Sequence, residues 1–380
     1  MELCLTDDQK LVRETTQRFI ADTCDLSVVR RIADGGAGLT DAYLPTAAEI
    51  GWFSMLVDED RGGGSVSGEG LRDLAIITQE RGRTLQPGRF IGSNVVAQTL
   101  GAVALSGAGD ATLAEVMAGE STAAWAMGAD AWSPGPGIEV TSGDGDGFRL
   151  DGEVRMVPDA PDAGCMIVTG RHGAGTSQFL VSCEQEGLSV DVLDALDISQ
   201  GFGTVRFHDA QVPASALLGD AHDAGERIER QLRVALVLIV AETVGAADAL
   251  LSLTTDYAKD RTAFGRPIGS FQALKHQLAD LALSLEAAKA ITVQATRSVQ
   301  AQSPDAATMA SIAKAWASEV AVDIAQGCLQ VFGGIGYTWE HDLHLYLRRL
   351  TLNSQLYGSA RWHRQRIWAS QQQSRVGENA

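Results

Sequence analysis

The strongest constraint on this chain is a helical pattern at 227–260 whose middle, 232–241, is apolar on nearly every side. A helix without a polar face is stable only when other elements enclose it. The chain supplies them downstream, with helical patterns at 271–302, 306–332 and 343–371, the last interrupted at Tyr357-Gly358-Ser359. Ser303-Pro304 separates the second pattern from the third, because the residue before a proline is pushed out of the helical region. Four antiparallel helices of such length make a bundle, so residues 226–380 are expected to form a four-helix bundle. The longest uninterrupted apolar run, 234–241, is too short to span a bilayer.

Upstream the texture changes. Residues 1–120 carry helical patterns at 5–21 (behind a Thr6 cap), 40–51, 68–83, 92–105 and 111–118, with glycine-marked turns between them. Residues 121–225 instead alternate short strand-like runs with Gly- and Asp-rich turns: 123–127, 137–141, 148–150, 165–168, 179–182 and 203–207. That spacing predicts a small β-barrel. The expected fold class is therefore α+β, mostly α: an N-terminal helical domain, a middle β-barrel domain and a C-terminal four-helix bundle. The acidic stretch 142–147 reads as a hairpin turn, since no carboxylate follows at the twelfth position of a calcium loop. The glycine clusters at 173–175 and 201–203 lack the strand, helix and acidic residue of a dinucleotide fold. No metal site is expected.

With 380 residues the chain can hold two or three domains, and 45% apolar content suits an ordered protein. A formal charge of −18 argues against nucleic acid or an anionic membrane as partner. Any anionic ligand must meet a local basic patch. The five cysteines include no C-x-x-C pair, and residues 1–10 carry three acids and no apolar core of a signal peptide. A reducing, cytoplasmic setting is expected.

The most informative stretch is 257–280, YAKDRTAFGRPIGSFQALKHQLAD. Gly265 and Pro267 break one helix, and Ser270 is placed to cap the next. Arg261, Phe264 and Gln272 thus put a guanidinium, an aromatic face and an amide at a helix–helix corner, a cradle suited to a phosphate and a flat ring. On spacing alone, a surface arginine and a core phenylalanine account for the same residues. The whole run resembles the R-x-x-F-G-x-P-I-x-x-F-Q signature of the acyl-CoA dehydrogenase family. Residues 330–337, QVFGGIGY, resemble that family's second signature, and 80–87 resemble the end of its N-terminal half. The resemblance spans essentially the whole chain. It implies FAD as cofactor, contacted by Arg261, Phe264, Gln272, Gln330, Gly333 and Gly334 in the neighbouring subunit, and hence an oligomer. It also implies an acyl-CoA substrate and admits an electron-transfer flavoprotein as partner.

The family reaction takes a proton from the acyl α-carbon with a glutamate and passes hydride from the β-carbon to the flavin. The glutamate occupies one of two places. Here the first is Tyr357 and the second, ten residues before Gly245, is Ala235. Alanine has no base, and a phenol of pKa ~10 stays protonated at neutral pH. Glu242 lies on the same helix, about 10 Å further along its axis at 1.5 Å per residue. The family's flavin-packing runs are altered too. Met127-Gly128-Ala129-Asp130 replaces one, and in 150–159 Met156 stands for an aromatic and Pro158 for a hydroxyl-bearing residue.

Elements serving a neighbour's FAD are kept, then, while those serving a flavin in this chain are lost. The pattern resembles the partner subunit of heteromeric bacterial acyl-CoA dehydrogenases, in which a homologous subunit carries the base. A homo-oligomeric enzyme with an unconventional base and a non-enzymatic acyl-CoA-binding or scaffold protein are the alternatives. Arg348, Arg349, Arg361, Arg364, Arg366 and Arg375, with no acid among them, read either as a solvated face or as a basic patch toward a partner, with Trp362 and Trp368 beside it.

Overall fold

The structure, a computed structural model, describes residues 5–105, 107–128, 137–143 and 145–378. In chain order the first helices are α1 (Asp7–Thr23), α2 (Leu26–Ala33), α3 (Tyr43–Glu49), α4 (Gly70–Arg83), α5 (Ile91–Ala102) and α6 (Gly107–Met117). Seven strands follow: β1 (Ala123–Ala126), β2 (Ile138–Ser142), β3 (Phe148–Pro158), β4 (Cys165–His172), β5 (Gly175–Ser182), β6 (Leu188–Leu193) and β7 (Phe202–Val212). Then come α7 (Gly225–Asp260), the two-residue strands β8 (Thr262–Ala263) and β9 (Arg266–Pro267), and α8 (Gln272–Gln300), α9 (Ala306–Phe332), α10 (Leu343–Asn353) and α11 (Ala360–Glu378). The order of helices, strands and helices is the expected one. The chain forms two compact units, one of Met1–Ala37, Ala75–Gln86 and Leu236–Ala380, the other of Gly38–Leu74 and Pro87–Ala235.

In the second unit the expected barrel does not form. The strands make one open, mixed sheet of order β1-β4-β2-β3-β7-β6, with β5 on the other edge of β4. The reason lies at the outer edge of β5. Backbone groups that a closing strand would need are taken by the chain leading into α7: Leu218 N–H donates to the Gln178 carbonyl (2.9 Å) and Ala224 N–H to that of Thr176 (3.1 Å). Ile138, Leu150, Val168, Phe179, Val205 and Phe207 fill the core. The turn joining β2 and β3 is the expected hairpin, closed by Gly143 N–H on the Gly147 carbonyl (2.9 Å); Asp144 within it lies outside the described residues.

The start of α7 is fixed in this unit by a reciprocal amide pair. Gln231 and Gln178 each donate to the other (3.1 and 2.7 Å), and Trp125 Nε1 donates to Gln231 Oε1 (3.1 Å). Gln231 Nε2 also reaches Thr99 Oγ1 (2.9 Å), and Arg227 Nε reaches Gln178 Oε1 (2.8 Å). Every amide hydrogen has an acceptor, which is what makes buried glutamines tolerable.

In the first unit α1 opens with a capping box in which Thr6 and Gln9 bond each other's backbone N–H (3.2 Å each). Helix α2, which is not among the expected elements, starts where the Asp25 carboxylate accepts from Ser27 and Val28 N–H (3.0 and 3.1 Å). Helix α7 is long and apolar enough to cross a membrane by composition, yet 89% of its most apolar window is buried in the protein. It packs closely on α4, because a Cβ on Gly82 would lie 2.1 Å from the Glu242 carbonyl oxygen and one on Gly245 2.0 Å from that of Gln79. Helix α8 runs along α9, which also packs on α10 and α11. Ser270 does not cap α8. Its Oγ donates to the Pro267 carbonyl (2.7 Å) and closes a 3-10 turn, leaving Phe271 at the N-cap.

Candidate functional site

The corner between α7 and α8 is a two-residue hairpin. Phe264 (φ 53°) and Gly265 (φ 78°) sit at its tip, and Thr262 and Ala263 pair with Pro267 and Arg266. Two consecutive positive φ values define the turn that suits a tight hairpin, where glycine or asparagine is usual. A phenylalanine there is strained, and its ring is 95% exposed. The Arg266 guanidinium lies 4.1 Å from the centroid of the Phe271 ring, which meets Phe264 edge-on. Arg261 and Gln272 are exposed on either side of this hairpin.

A second element lies at the same end of the bundle. Helix α9 ends at Phe332, whose ring stacks on Tyr257 near the end of α7 (4.5 Å), and Gln277 Nε2 on α8 reaches the Gly327 carbonyl (3.3 Å). Beyond Phe332 the chain winds through a 3-10 turn, Gly333–Tyr337. Gln330 and Gly334 are exposed, and a Cβ added at Gly333 or Gly334 would meet nothing within 4 Å. These glycines therefore front open space. The six residues singled out from the two signatures thus gather at one end of the bundle, facing outward.

Inside the same unit Glu242, Arg349, Lys314 and His363 are buried and hydrogen-bonded. Glu242 on α7 accepts from Arg349 (3.0 Å) and Asn353 Nδ2 (3.1 Å), with side chains only 5% and 1% exposed for the carboxylate and guanidinium. Arg349 also donates to the Leu85 and Gln86 carbonyls. Lys314 is fully buried with no carboxylate. Its ammonium donates to Ser318 Oγ (2.9 Å) and to the Asn353 and Ser354 carbonyls (2.7 and 3.1 Å), where α10 ends, and burial pulls its pKa down to about 7. His363, also fully buried, bonds the Tyr357 carbonyl through Nε2 (3.1 Å), and burial beside Lys314 pulls it down to about 3.

Tyr357 itself lies in the link between α10 and α11 at φ 60°, followed by Gly358 at φ 105°, and is buried. Ala235, in the other compact unit, has no exposed surface. Also in that unit, Met156 occupies the bulge of β3 between Val154 and Val157 at φ 55°, and Pro158 ends the strand. Of the run at 127–130, Ala129 and Asp130 lie outside the described residues.

A model of the acyl-CoA dehydrogenase N-terminal domain matches residues 6–121, and one of the C-terminal domain matches 225–371. The acyl-CoA dehydrogenase IpdE2 of Mycobacterium tuberculosis is 29% identical over 93% of this chain and 94% of its own length. FadE34, an acyl-CoA dehydrogenase of the same organism, is 32% identical over 96% of this chain but 48% of its own length. The chain belongs to the acyl-CoA dehydrogenase family. Its fold matches one in the ChsE4–ChsE5 complex of Mycobacterium tuberculosis with a TM-score of 0.87, over 97% of this chain and 98% of that one, at 22% identity.

An acyl-CoA dehydrogenase implies FAD. The exposed guanidinium of Arg261, the exposed amides of Gln272 and Gln330 and the open backbone at Gly333 and Gly334 fit a large anionic cofactor approached from outside. Met156 and Pro158 do not fit an isoalloxazine edge, because neither donates a hydrogen bond from its side chain and proline has no N–H. Glu242 as a displaced base does not fit either: its carboxylate is committed to a buried arginine.

The basic patch read from the C-terminal segment is broken up in the fold. Arg349 is buried against Glu242, Arg364 pairs with Glu319, and Arg366 bonds Ser311 Oγ (3.3 Å) and lies over the Trp362 ring. Arg361 and Trp368 remain exposed; the Arg375 side chain lies outside the described residues. Sequence reasoning also missed Lys314 and His363, for which only a lysine in an otherwise apolar helix stretch gave a signal.

Proposed function

We propose that this chain is the cofactor-completing, non-catalytic subunit of a heteromeric acyl-CoA dehydrogenase. The observation that carries this reading is the division of its residues: both expected base positions hold groups unable to take a proton, Glu242 is locked in an ion pair, and the cofactor signatures point outward from one end of the bundle. An exposed phenylalanine on a strained turn suits burial against a second body. Arg261, Gln272, Gln330 and the Gly333–Gly334 backbone would hold the diphosphate and adenine side of an FAD whose flavin ring sits in the partner. When bound, FAD supplies the hydride acceptor, and the proton goes to a glutamate of the partner; this chain's residues bind and orient. The ChsE4–ChsE5 complex, whose name joins two unlike chains, supports a mixed assembly. So does FadE34, in which a stretch like this chain makes up about half of a longer polypeptide. The substrate class is an acyl-CoA thioester, and the acceptor an electron-transfer flavoprotein.

The test is to purify the chain alone and together with a homologous acyl-CoA dehydrogenase chain encoded beside it. The reading expects a colourless protein alone and flavin with acyl-CoA oxidation only in the mixture. A yellow, active homo-oligomer would refute it.

A further inference from the structure

The Gly333–Tyr337 turn is anchored at its far end by an arrangement that neither signature contains. Trp339, two residues beyond the turn, is held from three sides by residues of the same compact unit. Its indole N–H donates to Asp34 Oδ1, just past the end of α2 (2.8 Å). Its carbonyl accepts from Arg30 on α2 (2.7 Å) and from His344 Nε2 on α10 (3.0 Å). Its ring stacks on His344 (4.6 Å between centroids, 22° between planes), with the Arg348 guanidinium 5.9 Å from the ring on the same helix. Arg30 reaches one residue group further and donates through Nε to Asp342 Oδ1 at the start of α10 (2.7 Å).

The chemistry fixes the direction of each bond. A carbonyl can only accept, so His344 carries a proton on Nε2; burial lowers its pKa, and Nδ1 has no hydrogen-bond partner. Within the turn Gly336 is buried against Leu329, Phe332 and Leu343, but a Cβ at Gly333 or Gly334 would meet nothing within 4 Å. Thr338 bonds back to the Ile335 carbonyl, and its own carbonyl accepts from His341 N–H (3.3 Å). A segment with two glycines free of packing loses much entropy on ordering. It holds one shape only if both ends are fixed. Helix α9 fixes the first, and Trp339 is where the second is fixed.

We infer that Arg30, Asp34 and Trp339 form a latch by which α2 positions the Gly333–Tyr337 turn for the anionic cofactor. They are positioning residues: none is assigned contact with FAD. This rests on the reading that the turn meets FAD bound in a partner subunit. The latch has a consequence that reading lacks, namely that residues of α2, remote in sequence from both signatures, control cofactor retention.

Two measurements separate the ideas. The first is hydrogen exchange of the Gly333–Tyr337 amides in the isolated chain, for wild type, Asp34→Ala, Asp34→Asn and Trp339→Phe. Breaking a hydrogen-bonded anchor should raise exchange of these amides about tenfold in Asp34→Ala, as for the loss of one bond of about 1.4 kcal/mol. Trp339→Phe, which keeps the stack and loses the N–H, should behave alike. Asp34→Asn keeps the acceptor oxygen and should restore protection to within about threefold of wild type. The second is the rate at which FAD leaves the mixed complex, which should rise in the same order, with unfolding midpoints within a degree or two of one another. Unchanged exchange in Asp34→Ala would overturn the latch whatever the flavin does. Raised exchange with unaltered FAD release would overturn its role in holding cofactor. A wild-type mixed complex without FAD would overturn both the proposed function and this role, leaving exchange to show whether the anchor alone exists.

Discussion

Replacing Glu242 should damage the fold far more than the chemistry. Its carboxylate and the Arg349 guanidinium are 3.0 Å apart with almost no exposed surface. Removing one partner of such a pair strands the other, at a cost of about 3–5 kcal/mol. Arg349 keeps the Leu85 and Gln86 carbonyls at 3.3 and 3.2 Å, so Glu242→Ala belongs at the lower end, about 3 kcal/mol. Glu242→Gln keeps an acceptor for Arg349 and Asn353 while losing the charge, which exchanges charge-assisted bonds for neutral ones at about 1–2 kcal/mol. The double replacement Glu242→Leu with Arg349→Met removes both charges from the interior and should lie within about 2 kcal/mol of wild type, more stable than Glu242→Ala alone. The assay is urea unfolding of the isolated chain, followed by fluorescence and by hydrogen exchange in α7 and α10, so that the unit holding the pair is read by itself. Glu242→Ala within about 0.5 kcal/mol of wild type would refute the reasoning. So would a Glu242→Gln mixed complex that folds, binds FAD and cannot turn over, since that outcome would make Glu242 the base.

Other outcomes follow from the same geometry. Arg261→Ala and Phe264→Ala should leave the unfolding midpoint of the isolated chain unchanged, because both side chains are exposed, yet lower FAD occupancy of the mixed complex by several-fold on titration with FAD. Tyr357→Glu should give no acyl-CoA oxidation by the chain alone in a dye-reduction assay, since Met156 and Pro158 remain and the new residue inherits a left-handed backbone at φ 60°. His363 has a folded pKa pushed down to about 3 from 6.5, so between those values the unfolded chain binds more protons. Stability should therefore fall as pH drops through that window, by about 1.4 kcal/mol per pH unit at most, and His363→Gln should flatten the slope in a pH series of unfolding midpoints.

How much was legible in the sequence depended on how local the signal was. The apolar stretch inside α7 and the break at Ser303-Pro304 made the helices of the bundle readable, and α9 falls where its periodicity placed it. The corner at 261–272 was readable as a functional element because glycine and proline at fixed spacing are tied to a specific backbone path. Closure of the sheet was not. It depends on which distant segment occupies the edge of β5, and residues 217–224 carry no strand pattern to announce it. The basic run is thinned for a related reason: two of its arginines, Arg349 and Arg364, meet acids, Glu242 and Glu319, that lie on other helices. Likewise the Trp339 anchor is held by a side-chain bond to Asp34, some three hundred positions away, which periodicity cannot detect.

The most direct measurement is the flavin content of purified assemblies, by absorbance against protein mass. One FAD for each pair of unlike chains, with none in this chain alone, is the predicted result. One FAD per chain in an active assembly of this polypeptide by itself would contradict it.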